Sequence, residues 1–144
     1  MTRVAGPRSA VLGLDVGTTS VKAALVLDGR AAHPAEVPLG LVTPRPGWAE
    51  QHPDDWWAAV RAAVGSVRAA SAADFERIGA IAVTGQMQDL VALDASGVPV
   101  RPAILYSDVR AAGEHDELRG RLGSAWSSAI GAEPDATNVA AKWT

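Results

Sequence analysis

The segment at residues 11–27 constrains the fold of this chain more than any other, because a Gly-Thr-Thr turn separates two apolar stretches. Residues 11–14 lead into Asp15, and residues 20–27 resume with β-branched and apolar side chains. Gly17 lies between the two stretches, where a tight reversal with positive φ favours glycine. The segment therefore predicts a β-hairpin.

The turn of this hairpin carries the donors of a phosphate-binding loop. Backbone N–H groups of Gly17, Thr18 and Thr19, with the hydroxyls of both threonines and of Ser20, can point at phosphate oxygens. Asp15 is placed to hold, through water, a Mg²⁺ ion that bridges those oxygens. For a bare Gly-Thr-Thr, an ordinary hairpin is the alternative, and the preceding Asp favours the phosphate site.

The composition indicates one globular domain. The chain has 144 residues, of which 48% are hydrophobic and 20% charged, and this is enough for a core. The net charge is −3 and the basic residues are spread along the chain, so we expect no nucleic acid and no membrane as partner. There is no cysteine, no stretch near the ~20 apolar residues of a membrane span, and no signal-peptide core. We therefore expect a cytoplasmic protein.

Further along, the pattern predicts an α/β protein. Residues 31–42 form a weaker strand, which its prolines confine to a sheet edge. Residues 53–70 predict a helix that begins with Pro-Asp-Asp and repeats valines on one side. The continuous apolar run at residues 78–84 is typical of a buried central strand, and residues 108–122 predict a second helix. Residues 123–144 show only weak periodicity, and the end of the sequence looks cut.

Two polar segments are candidates for ligand contacts. Residues 85–89 follow the apolar run, so they form either a ligand loop or an ordinary turn with Gln86 and Gln88 in water. By itself the pentapeptide favours the ordinary turn. Asp108, taken alone, is most simply a helix N-cap. The three histidines lie far apart without a carboxylate at metal-ligand spacing, so we assign them no function.

Four stretches, taken in order, closely resemble the start of the FGGY carbohydrate kinases, above all the xylulokinase-like members, at residues 12–26, 46–57, 78–94 and 101–111. Residues 140–143 look like a further landmark of the family. The resemblance implies the actin-like, RNase H-like ATPase fold, an α/β fold with a mixed sheet and helices, in which sugar and Mg·ATP bind between two such domains. It implies a tail at residues 1–9 and a truncated N-terminal domain at residues 10–144, with the second domain absent.

The resemblance also implies roles for single residues. Asp15 corresponds to the metal-linked acidic residue of the first phosphate loop, and Thr18 and Thr19 face the transferred phosphate. Phosphate contacts are thus expected at Gly17, Thr18, Thr19 and Ser20. Sugar contacts are expected at Gln86, Met87, Gln88 and Asp108.

The chain departs from the xylulokinase pattern at the sugar side. Xylulokinases typically show G-Q-M-H-G and later W-N-D, whereas this chain has Gln88 for the His, Asp89 for the Gly, and Tyr106-Ser107 before Asp108. The family's catalytic aspartate, which removes the proton from the attacking sugar hydroxyl, lies beyond the equivalent of Thr144.

These observations predict the N-terminal part of an ATP-dependent sugar kinase, which transfers the γ-phosphoryl group to a hydroxyl of a neutral ketose or polyol and uses ATP and Mg²⁺. The alternative is a non-catalytic actin-like or sugar-binding module, either a decayed remnant of such a kinase or a piece that joins a separately encoded C-terminal half.

Overall fold

The computed structural model describes residues 9–131, 133 and 135–143, which form two compact units. Within these ranges, the first unit comprises residues 9–40 and 54–86, and the second comprises residues 41–53, 87–131, 133 and 135–143. The strands are β1 (Ala10–Val16), β2 (Ser20–Leu27), β3 (Arg30–Pro38), β4 (Glu50–Gln51), β5 (Ile78–Gly85) and β6 (Ala103–Ile104). The helices are α1 (Pro53–Ala70), α2 (Ala72–Phe75), α3 (Ala112–Leu122), α4 (Ser124–Ile130) and α5 (Val139–Lys142).

The first unit is built on a mixed sheet with the strand order β3-β2-β1-β5. The predicted hairpin is confirmed: β1 and β2 pair antiparallel from Val11 opposite Val26 to Val16 opposite Val21. The proline-containing strand β3 lies at the sheet edge, as predicted, where a missing N–H breaks no ladder hydrogen bond. After α1, strand β5 returns parallel to β1.

Helix α1 covers one face of this sheet. It spans the predicted residues, with Asp54 and Asp55 in its first turn and Arg68 in its last. Charges of these signs at these ends interact favourably with the helix dipole. The core joins small residues of the helix to apolar residues of the hairpin strands, namely Ala10, Leu12, Val21, Ala23, Leu25, Ala59, Ala63 and Val67. The alanines allow close approach of helix and sheet, because they carry no more than a methyl group.

Strand β5 differs from its prediction as a buried central strand. In the described part of the sheet it has one neighbour, β1, and lies at an edge. Ile81 and Val83 share the face of Leu12 and Leu14 through the parallel register, yet they are 62% and 68% exposed. A strand that is apolar on both faces is buried only where other residues pack on both faces. At β5, the described residues leave much of the apolar surface exposed.

We expect this exposed strip to limit the solubility of the isolated chain. Replacing Ile81 and Val83 together by Thr should raise the soluble fraction, because Thr keeps the β-branched shape and removes exposed apolar surface at an open edge. Light scattering of the purified proteins measures the effect. The control is Val100→Thr, at a position that is 62% exposed but outside the strands. Equal aggregation of the double variant and the original chain would contradict this expectation.

The second unit is assembled from short strands and helices. β4 pairs antiparallel with β6, and isolated bridges join Val42 to Glu50 and Leu90 to Ile104. The second predicted helix is shorter than expected, because α3 begins at Ala112 instead of Asp108. Its N-cap residue is Ala111, so Asp108 is not the N-cap.

Short helices occupy the region in which the sequence has only weak periodicity. α4 carries Trp126, which is 6% exposed, and its ring centroid lies 5.5 Å from that of His115 on α3. A contact between two helices accompanies this burial, and a periodicity search over either helix alone cannot detect it. Within the described ranges, no helix is both long and apolar enough to cross a membrane.

Candidate functional site

The turn between β1 and β2 is tightly closed by its own backbone. The Gly17 N–H donates to the Ser20 carbonyl at 3.1 Å, and the Leu39 N–H donates to the Thr19 carbonyl at 2.8 Å. Gly17 does not adopt the positive φ that the sequence predicts. Glycine fits here for another reason, since a Cβ atom would stand 3.2 Å from the Ser20 carbonyl oxygen. The Gly17 N–H is therefore part of the turn.

Asp15 places an acidic side chain near the end of β1. Its side chain is half-buried on the sheet face opposite α1, where Lys22 and Thr84 are its cross-strand neighbours. It lines a concavity of about 630 Å³ on that face. No described residue gives its carboxylate a hydrogen bond or an ion pair, whereas Lys22 lies 3.9 Å from Glu36. The Asp15 oxygens are thus available for a ligand.

The end of β5 lies directly beside the hairpin turn. The Gln86 N–H donates to the Val16 carbonyl at 2.9 Å, and the Thr18 hydroxyl donates to Gln86 Oε1 at 2.9 Å. A Cβ atom at Gly85 would stand 2.7 Å from the Val16 carbonyl oxygen, so only glycine permits this approach. The structure therefore brings together two motifs that are separated by 68 residues in the sequence.

The hydroxyls of the turn differ in their exposure. Thr19 is exposed, whereas Ser20, the first residue of β2, is 7% exposed. A ligand that approaches the turn from solvent therefore meets Thr19 first, while Ser20 is largely enclosed.

The predicted sugar contacts Met87 and Gln88 belong to the second unit, in the segment that follows β5. Met87 is 77% exposed, and Gln88 is also exposed. Gln88 has a φ of +65°, a left-handed conformation that is uncommon for a residue other than glycine.

Asp108 is enclosed rather than open to a ligand. It is 0% exposed, and its carboxylate accepts hydrogen bonds from the Ala49 N–H at 2.6 Å and from the Arg110 N–H at 2.9 Å. The Arg110 side chain donates Nε and Nη2 to the same carboxylate at 2.9 and 2.7 Å. Burial alone would raise the pKa of Asp108, but the bonds from Arg110 and Ala49 outweigh it and hold this pKa below its usual value.

Arg110 joins Asp108 to a second buried acid and to an indole ring. Its Nη2 lies 2.7 Å from Glu50, which also pairs with Arg101 at 2.6 Å. The Arg110 guanidinium stands 3.8 Å from the centroid of the Trp48 ring, a cation–π distance. We call Trp48, Glu50, Asp108 and Arg110 the acid–arginine cluster. The sequence prediction includes Asp108 alone, although the other members lie in the stretches that carry the family resemblance.

Two carboxylates, those of Asp15 and Glu36, line the concavity of the first unit, and Glu36 lies 3.9 Å from Lys22. Among the residues that the structure describes, no group of three or more His, Cys, Asp or Glu side chains could hold a metal ion. This donor set suits Mg²⁺, which retains water and is usually bound by one or two carboxylates together with substrate phosphates. The Asp15 carboxylate, for which the described residues provide no hydrogen bond or ion pair, precedes the Thr18–Thr19 turn by three residues and fits that pattern.

The chain is similar to known proteins over nearly all its length. Residues 10–131 match the family described as "FGGY family of carbohydrate kinases, N-terminal domain". The xylulose kinase of Streptomyces coelicolor is 37% identical over 99% of this chain, and a glycerol kinase of Rhizobium rhizogenes is 35% identical over 76%. These matches cover 29% and 22% of the two relatives, so the chain spans less than a third of their length.

Solved structures agree with the sequence comparison. The crystal structure of a "xyloylose kinase" from Brucella ovis superposes with a TM-score of 0.87 at 36% identity, covering 92% of this chain and 28% of that protein. The actin-like ATPase fold with a mixed sheet and helices, present here in part, is thereby confirmed. The chain belongs to the FGGY family of carbohydrate kinases, whose N-terminal domain it matches over residues 10–131.

Proposed function

We propose that this chain is the N-terminal part of an ATP-dependent kinase that phosphorylates a hydroxyl of a neutral ketose or polyol. The observation that carries the proposal is the arrangement at one end of the first sheet. There Asp15, whose carboxylate has no hydrogen bond or ion pair from any residue that the structure describes, lies two residues before a tight turn, and the Thr18 hydroxyl of this turn is bonded to Gln86. Phosphoryl transfer depends on positioned donors and charge neutralisation, which such a turn provides.

In this proposal the hairpin turn binds the transferred phosphoryl group. Thr19 is exposed and donates its hydroxyl and N–H to phosphate oxygens, while Gln86 orients Thr18 from the neighbouring strand. The Gly17 N–H holds the turn closed through the Ser20 carbonyl, so Gly17 and Ser20 shape the loop more than they contact the ligand. A rigid turn limits the entropy that is lost when the phosphate binds.

Asp15 would hold, through water, the Mg²⁺ ion that accompanies the nucleotide phosphates. Mg²⁺, when bound there, neutralises charge on the phosphates. Because Asp15 has no competing hydrogen bond or ion pair among the described residues, both of its carboxylate oxygens can serve this partner. We expect the reaction to take place in the cytoplasm.

Sugar recognition is assigned to Gln86, Met87 and Gln88. The two glutamine amides provide donors and acceptors without charge, which suits hydroxyl groups. Asp108, which the family resemblance suggests as a sugar contact, is bonded on both oxygens and has no exposed surface. We therefore assign Asp108 to holding the acid–arginine cluster, from which it affects the sugar site indirectly.

The remaining parts of the reaction belong to the rest of a kinase of the relatives' length. The proton acceptor for the sugar hydroxyl and the adenosine site are proposed to come from that remainder, either in the same polypeptide or in a separately encoded one. We expect the isolated chain to show no sugar-dependent ATP hydrolysis or phosphorylation, because orientation and proton transfer both fail without these groups.

The test uses a chimaeric kinase, in which the present chain of 144 residues replaces the matching N-terminal part of the Streptomyces coelicolor xylulose kinase. We expect the chimaera to release ADP in a sugar-dependent manner and to form a sugar phosphate. The C-terminal part of the relative, expressed alone, is the matched control. A chimaera that folds, judged by a cooperative melt, but is as inactive as this control would contradict the kinase function and favour a non-catalytic module.

The choice of sugar is tested at Gln88. Restoring the xylulokinase residue with Gln88→His in the chimaera should change the ranking of neutral sugars, because an imidazole and an amide present different donors and acceptors to the sugar hydroxyls. The measurement is kcat/KM for a panel of pentuloses, hexuloses, polyols and sugar acids. We expect shifts of about tenfold or more between neutral sugars. An unchanged ranking would show that Gln88 does not select the sugar.

A further inference from the structure

Gln88 stands out in the backbone of the second unit. Its φ of +65° lies in the left-handed region, which is shared among non-glycine residues by only Asp28 and His33 in the described chain. Asp28 precedes Gly29 in the hairpin turn between β2 and β3, where asparagine and aspartate tolerate this conformation. Glutamine has no such local preference, and a left-handed glutamine persists only where its surroundings fix it.

The two residues that follow Gln88 are hydrogen-bonded to the segment around β6. The Asp89 carboxylate accepts the Tyr106 N–H at 2.7 Å. The next residue, Leu90, exchanges two backbone hydrogen bonds with Ile104, at 2.8 and 3.0 Å. The backbone immediately after Gln88 is therefore tied to the segment around β6, whereas the Gln88 side chain is exposed.

The Asp89 anchor is a partly buried carboxylate next to a second partly buried charge. Burial raises the pKa of Asp89, while the bond from Tyr106 and the charge of Lys142 partly offset this effect. Lys142 is held in turn by the Leu105 carbonyl, to which its Nζ donates at 2.7 Å. The anchor thus belongs to a connected set of polar contacts around residues 104–106.

We propose that Asp89 is a positioning residue, which holds Gln88 in its left-handed conformation through the Tyr106 N–H and thereby sets the direction of the amide that selects the sugar. The proposal rests on the proposed function for its second half, since it assumes that Gln88 contacts the sugar. Its first half concerns the conformation of Gln88 and stands on the geometry alone. The family pattern quoted above has Gly at this position, which has no carboxylate to make the bond.

The first readout is conformational and needs no activity. Asp89→Ala in the isolated chain should release Gln88 from positive φ and speed hydrogen exchange of the Tyr106 amide by about tenfold or more. Carbon chemical shifts and scalar couplings of labelled Gln88 report its φ. Asp89→Asn keeps an acceptor oxygen and should restore most of both properties.

The second readout is the sugar ranking of the chimaeric kinase. Asp89→Ala should reduce the differences in kcat/KM between the sugars of the panel. For the preferred sugar, kcat should fall less than kcat/KM. Asp89→Asn should restore the original order. The control is Asp94→Ala, which also removes a carboxylate that accepts backbone N–H groups, from Ser96 and Val98, but lies in a separate turn. It should leave both readouts unchanged.

The outcomes separate the two halves. A left-handed Gln88 and a protected Tyr106 amide in Asp89→Ala would overturn the positioning role. A changed Gln88 conformation with an unchanged sugar ranking in an active chimaera would also overturn it, since the held conformation would not determine selection. If the chimaera that carries the original chain phosphorylates no sugar although it folds, the proposed function fails, while the two conformational measurements still decide whether Asp89 holds Gln88.

Discussion

Replacing Asp15 by Asn should lower the turnover of the chimaeric kinase by at least about 10²–10³-fold, while the KM for the sugar changes little. The carboxylate has no hydrogen bond or ion pair within the described chain, so its removal leaves no unsatisfied protein partner behind. Asn keeps the shape and the half-buried packing but lacks the negative charge that the metal ion requires. The loss should therefore concern the transfer step and not the fold.

The matched control is Glu36→Gln, which removes a carboxylate that lines the same concavity and lies 3.9 Å from Lys22. It should retain near-normal turnover. Steady-state kinetics with the preferred sugar, together with melting temperatures of all variants, separates chemistry from folding. Near-normal turnover of Asp15→Asn would contradict the role of Asp15 at the metal.

Replacing Asp108 by Asn should lower the free energy of unfolding by about 3 kcal/mol at neutral pH. The substitution keeps the side-chain shape but leaves the Arg110 guanidinium, whose side chain is 12% exposed, with one of its two carboxylate partners. It also weakens the bond from the Ala49 N–H, which joins segments 59 residues apart. Urea unfolding followed by tryptophan fluorescence measures this effect, since Trp48 stacks on Arg110.

The pH dependence of this difference follows from the pKa of Asp108, which the folded chain holds below its ordinary value of 3.8. The stabilisation is fully present above that value and is lost as the pH falls through the still lower folded pKa. The difference between Asp108→Asn and the original chain should therefore shrink in acid. Glu117→Gln is the control, because its pair with Arg121 is about 70% exposed and should contribute at most about 0.5 kcal/mol. Equal stability of Asp108→Asn and the original chain would contradict the structural role.

Local patterns predict the elements whose stability is decided locally. The hairpin and α1 appear with their expected bounds because turn residues, helix-start residues and apolar periodicity lie within one short stretch. The conformation of Gly17 is predicted incorrectly, because this glycine does not adopt a positive φ; a Cβ atom there would instead make a tight contact of 3.2 Å with the Ser20 carbonyl oxygen. A positive φ and a tight contact at the Cβ position both favour glycine, so the sequence alone does not distinguish them.

Long-range contacts explain what the sequence does not predict. The buried Asp108 carboxylate is hydrogen-bonded to Ala49 and Arg110, and no local sequence pattern predicts a bond between residues 49 and 108. The junction of Thr18 with Gln86 likewise arises from the parallel pairing of β1 with β5. The buried character expected of β5 follows from its apolar run, but its exposure depends on which neighbours cover it.

The most direct test of the central claim is a crystal structure of the chimaeric kinase with Mg²⁺, a non-hydrolysable ATP analogue and its preferred neutral sugar. The account predicts the γ-phosphate against the turn at Thr18 and Thr19, with the metal ion linked to Asp15 through water. It also predicts the sugar hydroxyls within hydrogen-bonding distance of Gln88. Phosphates bound away from the β1–β2 turn, with Asp15 making no contact with the metal or its waters, would contradict it.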